Sequence, residues 1–320
     1  MTTMKPAIQH ELIMPNELAG LRLDQALAKL LPSYSRTQIK EWIETNAVQM
    51  DGQIVKGKTR VSGGEAIHIS ASLKLQPAWE AQPIHLPIIH EDEAIIIINK
   101  PAGLVVHPGA GNLNNTLLNA LLHHAPALQT LPRAGILHRI DKNTTGLLVI
   151  AKTSEALRDL SLQLKNHDLQ REYQAIVNGD MISGGKVDAP IGRHPLQRKR
   201  MAIVETGKHA VTHYRIAEKF RGFTHLSLHL ETGRTHQIRV HMTFIRHPIV
   251  GDPAYGGRLR LVKGLSPDSI QFLREFKRQA LHAYALSFTH PLTGEPVRFE
   301  AELPTDMQEL INILKAESKK

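Results

Sequence analysis

Residues 135–153 read GILHRIDKNTTGLLVIAKT. A polar, turn-prone stretch with a single carboxylate, Asp141, runs directly into the apolar, strand-like segment 146–151. An acid at the mouth of a buried strand is held rigidly while it faces a cleft, which suits a nucleophile or a general base. His138, Arg139 and Lys142 flank it, and such cations suit both a carboxylate and a phosphate-bearing substrate. Spacing alone equally allows a loop aspartate that caps neighbouring amides.

Strand and helix signals alternate from Ile88 to the end of the chain. Strand-like runs fall at 94–98, 146–151, 172–177, 212–216, 226–230 and 236–241. Helical stretches fall at 116–124, at 154–165 with Ser154 as N-cap, and at 306–315. Several strands adjacent in sequence favour an α+β class with a mixed, largely antiparallel sheet over a regular βαβ alternation. One of these strands belongs to a second polar stretch, residues 230–241, LETGRTHQIRVH. Read as extended chain, it puts His236, Ile238 and Val240 on one face and Gln237, Arg239 and His241 on the other. Arg239 is then free to grip a carboxylate with two parallel hydrogen bonds. An ordinary edge strand with a polar outer face fits the same residues.

Residues 18–70 form a separate pattern. Leu23, Ala26, Leu27, Leu30 and Leu31 fall at helical spacing, and Pro32 ends that helix. Ser35 caps a second helix running through Glu44, with Gln38 at capping-box distance. Ile39, Trp42 and Ile43 lie on its inner side, Arg36 and Lys40 on its outer side. Strands at 48–50 and 53–55 are joined by Asp51-Gly52, a strong hairpin signal, and a closing strand follows at 66–69. Two short helices with basic outer positions and a small sheet can set cations along a phosphate backbone. From Arg22 through Ser35 and Arg36 to Ile69, the pattern resembles the S4-type RNA-binding module. The expected organisation is a module at 1–75 (with 1–17 as a tail), a linker or extended lead-in at 76–87 and a larger domain at 88–320.

Composition narrows the function classes. The 320 residues are 42% hydrophobic and 22% charged, enough to bury a core, so wholesale disorder is excluded. The absence of cysteine removes disulfides, Cys-based zinc sites, iron–sulfur clusters and thiol nucleophiles. Nineteen histidines invite a metal, yet no His-Glu-x-x-His pair occurs, and adjacent His123 and His124 diverge around a helix. Gly109 and Gly111 lack the third glycine of a dinucleotide fingerprint. No metal and no cofactor are expected. The longest apolar run, 94–98, is far short of a membrane span, and residues 1–11 lack a signal-peptide core, so a cytoplasmic monomer without membrane contact is expected. The formal charge of +9 points weakly to a polyanionic partner. Residues 193–215 sharpen it, with six basic side chains against Glu205 alone.

Taken together, the two polar stretches resemble the signatures of the pseudouridine synthase family of the large-subunit ribosomal RNA type. Residues 99–108 (NKPAGLVVHP), 171–173 (REY) and 247–257 (HPIVGDPAYGG) match it as well. Ile140, Asn143 and Thr145 depart from its usual Leu, Asp and Ser. The resemblance implies that Asp141 is the catalytic aspartate, that Tyr173 packs against the uracil, and that Arg239 pairs with the aspartate. It further implies that Arg139 displaces the target base and that Leu281, in 279–283 (QALHA), belongs to the apolar floor. His138, Arg234, Arg22, Ser35, Arg36 and Lys40 are expected to contact RNA, and large-subunit ribosomal RNA is the expected partner. Uridine isomerisation needs an ionised acid, a tight pocket and exclusion of water, with no net redox change or hydrolysis. A non-catalytic RNA-binding assembly factor and a hydrolase with paired carboxylates are the competing readings. The second needs another acid beside Asp141, whose sequence neighbours are basic.

Overall fold

The computed structural model describes residues 7–32, 34, 36–72, 79–109, 111–257 and 262–319. The chain divides into two compact units, Met1–Ala78 and Trp79–Lys320. In the first, helical spacing puts Leu23, Ala26 and Leu27 of α1 (Leu23–Leu30) into one core with Ile39, Trp42 and Ile43 of α2 (Arg36–Glu44). The helices cover an antiparallel sheet of β1 (Ala7–Ile13), β2 (Val48–Met50), β3 (Gln53–Ile54) and β4 (Ala66–Ser72), in the order β1-β4-β2-β3. Asp51 and Gly52 both take positive φ, 50° and 75°, as a two-residue hairpin whose twist matches its strands requires.

Residues 7–13 are a sheet strand and not part of a tail: β1 pairs with β4 along its full length, from Ala7 opposite Ser72 to Ile13 opposite Ala66. Its one apolar face is thin and its partner lies far along the chain, so local pattern understates it. Asp24 is buried and accepts hydrogen bonds from Arg22 and Arg36. Burial opposes its charge, but the two guanidiniums outweigh that and hold its carboxyl below the usual range. Arg22 and Arg36 are thus tethered while still facing solvent, and Lys40 stands exposed beside Glu44. Ser35 lies outside the described residues.

The second unit is built on one mixed sheet. Its strands are β5 (Ile88–Glu91), β6 (Ile95–Lys100), β7 (Thr145–Ala151), β8 (Gln170–Asn178) and β9 (Gly185–Asp188), followed beyond the β10 (Ile191–Arg193) and β11 (Met201–Ile203) hairpin by β12 (Val211–Phe220), β13 (Phe223–Leu230), β14 (Leu281–Thr289) and β15 (Pro296–Glu300). The order is β5-β6-β7-β14-β8-β13-β12-β9, with β15 beside β14. Only the β7–β14 pairing is parallel among those described. Helices α3 (Leu117–His124), α4 (Ser154–Asn166), α5 (Gln237–Phe244), α6 (Pro267–Glu275) and α7 (Thr305–Ser318) complete it.

The continuous isoleucine run of β6 is explained by burial on both faces. Ile96 and Ile98 pack with Leu117 and Leu121 of α3, whereas Ile95 and Ile97 pack with Ala156 and Leu160 of α4. Thr116 and Asn119 form a capping box at the start of α3. The cap of α4 is Thr153, one residue before the expected Ser154, and its hydroxyl accepts from the Ala156 amide at 3.1 Å. Residues 79–87 carry no regular element, yet Leu86 and Ile84 pack on the main core and Asn119 donates to the Glu80 carbonyl.

Residues 236–241, expected as a strand, open α5 instead. Gln237 accepts from the Thr232 hydroxyl (2.7 Å) and the Arg234 amide (2.9 Å), and donates to the Val211 carbonyl (2.9 Å). Those tertiary bonds close the chain into a turn at His236, which adopts the left-handed conformation with φ 56°. A helix of eight residues with inward residues all around, Gln237 to Met242, shows no single apolar stripe, so its alternation of polar and β-branched residues mimics a strand.

Gly146 (φ 113°) lets β7 approach β14: a Cβ there would lie 2.2 Å from the Ala283 carbonyl oxygen. Gly146→Ala should therefore cost roughly 3 kcal/mol or more and lower the melting temperature by roughly 10 °C. Calorimetry checks this, and a melting temperature equal to that of the native chain would contradict it.

Candidate active site

Asp141 stands just before β7, and each neighbour in its loop is fixed. The Asp141 carbonyl accepts from the Thr144 amide (3.1 Å), and Thr144 Oγ1 accepts from Gln279 (2.9 Å). The Lys142 carbonyl accepts from Lys100 Nζ (2.9 Å) and the Gly103 amide (2.9 Å). Lys100 is wholly buried and spends its remaining donors on the carbonyls of Pro101 and Leu104. Burial pulls its ammonium down to about 7, with Asp141 acting in the opposite sense.

From α5, Arg239 Nη1 donates to Asp141 Oδ2 at 2.8 Å. Its other two nitrogens grip Asp252 in bidentate fashion, Nε to Oδ2 at 2.7 Å and Nη2 to Oδ1 at 2.9 Å. Burial opposes the Arg239 charge, but Asp252 and then Asp141 outweigh it and hold the guanidinium charged more firmly than a free arginine. Tyr255 lies beneath the guanidinium, 4.9 Å from ring centroid to Cζ. The Tyr255 hydroxyl accepts from the Met201 amide (2.8 Å) and is hydrogen-bonded to His236 Nδ1 (2.8 Å). The other ring nitrogen, His236 Nε2, lies 3.8 Å from Asp141 Oδ1. Burial lowers the His236 pKa, against the raising influence of Asp141.

A cavity opens beside this pair. Arg139, Asp141, Tyr173, Arg234, Arg239 and Leu281 all line it, so six sequence-predicted residues meet at one place. Tyr173 and Leu281 are buried, while Arg139 and Arg234 are exposed at the mouth. Burial raises the Tyr173 pKa and keeps the phenol protonated. Arg234 is partly committed, since its Nε donates to the His209 carbonyl at 2.9 Å. His138 does not belong to this surface. It is buried, and its Nε2 accepts from the Val149 amide at 3.2 Å, so it braces β7 from behind. Alternation explains the correction: in 138–141, exposed Arg139 and half-exposed Asp141 face outward, and His138 and Ile140 face in. Sequence reasoning also left Asp252, Tyr255, His236, Lys100 and Arg171 without roles. All five lie in the matching segments 99–108, 171–173, 230–241 and 247–257, but no local periodicity links those segments to Asp141.

An S4-like module, a mixed antiparallel sheet and an arginine-clamped aspartate in a pocket together define an RNA-modifying enzyme of the pseudouridine synthase class. Residues 94–244 match the RNA pseudouridylate synthase family and residues 21–67 the S4 domain. Ribosomal large subunit pseudouridine synthase D of Escherichia coli (strain K12) is 54% identical, covering 95% of this chain and 94% of its own. The protein of that name from Pseudomonas aeruginosa is 50% identical over 98% of each, and that from Vibrio parahaemolyticus 52% over 93% and 92%. Among solved structures, Human RNA Pseudouridylate Synthase Domain Containing 4 superposes with a TM-score of 0.56 at 28% identity, covering 71% of this chain and 92% of that one. This chain belongs to the pseudouridine synthase family, whose members are isomerases.

Two buried histidines make the scaffold acid-sensitive. Burial takes His138 down to about 3 and His282 to about 4; the His282 ring accepts from the Thr145 hydroxyl and donates to the Ala301 carbonyl. The unfolded chain binds these protons near about pH 6.5 and the folded chain does not, so stability is complete above that value and declines as pH falls toward about 4. Urea unfolding should show a loss of about 1–2 kcal/mol per histidine between about pH 6.5 and 5. His138→Gln should flatten part of the slope; identical slopes in both proteins would contradict the assignment.

Proposed function

We propose that the protein converts specific uridines of large-subunit ribosomal RNA to pseudouridine, with Asp141 as nucleophile acting on a base flipped out of its stack. The observation that carries this reading is the asymmetry of Asp141. Oδ2 is held by Arg239, whereas Oδ1 has no hydrogen-bond partner among the described residues and borders a cavity floored by Tyr173 and Leu281. The relatives' names supply the RNA class, and the S4 domain supplies a second contact with it.

The reaction breaks the C1′–N1 bond, turns the detached uracil, and forms C1′–C5. The carboxylate supplies or steers the charge at the ribose, while the base filling the pocket keeps water from C1′ and prevents release of free base. Flipping costs a few kcal/mol, which favours uridines in loops or distorted stems. Arg139, exposed at the mouth, fills the space the base leaves, and Arg234 meets the backbone there. Arg22, Arg36 and Lys40 of the 1–75 module track phosphates outside the catalytic domain at 88–320, in a cytoplasmic monomer. A cation-lined docking module and a separate pocket divide affinity from chemistry.

Asp141→Asn should reduce pseudouridine formation in large-subunit RNA by about a thousandfold or more without changing the melting temperature. Pseudouridine-selective labelling followed by primer extension reads it. A folded Asp141→Asn protein that still modifies the RNA would remove the nucleophile from this reading.

A further inference from the structure

Arg171 lies on β8 two residues before Tyr173, so both side chains point to the same face of the sheet and line the same cavity. Leu286 of β14 stands opposite it, and Arg171 is only 7% exposed. Gly233 makes room for the guanidinium: a Cβ there would fall 2.5 Å from Arg171 Nη1. Arg171 Nε is buried without a partner, and no carboxylate or hydrogen-bond acceptor engages the side chain among the described residues. The other deeply buried arginine of the site, Arg239, by contrast holds two carboxylates.

Only Nε is shut off from both water and partners, so the two outer nitrogens keep their access to the cavity, and leaving the charge unpaired in so confined a place is unfavourable. Leu230, Ile238, Leu281 and Tyr173 give the shared cavity an apolar part suited to a flat base, and the one carboxylate in its lining, Asp141, is held by Arg239. The ligand must bring the acceptor. Uracil offers two carbonyl oxygens. When C1′–N1 breaks, its electron pair stays on the base, spreading negative charge over N1 and those oxygens. C5 then bonds to C1′, the carboxylate is freed, C5 loses its proton and N1 gains one, so the product is an isomer. The charge on the base arises whether Asp141 attacks C1′ or assists elimination.

We propose that Arg171 is a catalytic residue that donates to a uracil carbonyl and stabilises the negative charge of the detached base. This rests on the uridine-isomerising reading above. Arg239 then serves the aspartate and Arg171 the base. Preorganised donors aimed at developing charge in a dry site typically contribute a hundredfold or more to rate.

The test separates stability from rate. Arg171→Met removes the unpaired cation at similar volume, so the melting temperature should hold or rise while single-turnover pseudouridine formation falls about a hundredfold. A folded Arg171→Met protein with native rate overturns the proposal, as does a melting temperature that falls in step with activity. Arg171→Lys, which keeps charge, should retain an intermediate rate. A synthetic RNA hairpin carrying a uridine that the protein converts is then compared with hairpins bearing 2-thiouridine or 4-thiouridine at that position. Sulfur accepts hydrogen bonds poorly, so one of the two should slow the native enzyme but not further slow Arg171→Met. Equal slowing of both proteins by both hairpins overturns the proposal. If the native enzyme forms no pseudouridine in any large-subunit RNA, the uridine reading itself fails, a separate outcome.

Discussion

One guanidinium organises the second unit's site. Arg239 spends two of its three nitrogens on Asp252 and has one left for Asp141. The bidentate grip fixes the plane of the guanidinium, and that plane decides which carboxylate oxygen of Asp141 is held and which faces the cavity. Asp252 is in turn positioned by the Ala254 and Tyr255 amides, so the clamp is anchored in backbone on the far side as well. On the near side Lys100, Gly103 and Gln279 pin the loop. Removing Arg239 would leave the buried Asp252 uncompensated, which is why the three side chains act as a unit.

The sheet exists to bring these anchors together. Asp141 precedes β7, Tyr173 and Arg171 lie on β8, Leu281 opens β14, and Arg239 sits on the helix that follows β13. The parallel contact of β7 with β14 seats the aspartate loop against Gln279, through the space left by Gly146. Of the four arginines that line the cavity, the two buried ones stand in opposite electrostatic states. Arg239 is saturated with carboxylates and Arg171 has none. A site with one paired and one open buried cation can hold an acid in place and still receive charge from a substrate.

Much of this was legible in the residues. The apolar run 94–98 announces a strand, Asp51-Gly52 announces its hairpin, and the acid before 146–151 marks the loop that matters. The misreadings share a cause. Gln237 closes a turn through bonds to Val211 and Thr232, and β1 finds its partner far along the chain; both are tertiary decisions that no local period records. His138 looked like a surface cation because its neighbours are basic, although chain alternation turns it inward. Arg171 lies in the matching segment 171–173, yet nothing there gave it a role, since an unpaired buried cation is defined by what does not surround it.

The claim that Asp252 aims Asp141 through Arg239 is most directly tested by Asp252→Asn, which keeps shape and removes the charge that fixes the guanidinium. Single-turnover pseudouridine formation should fall by about a hundredfold while RNA affinity stays unchanged. A folded Asp252→Asn protein that converts uridine at the native rate would contradict the account.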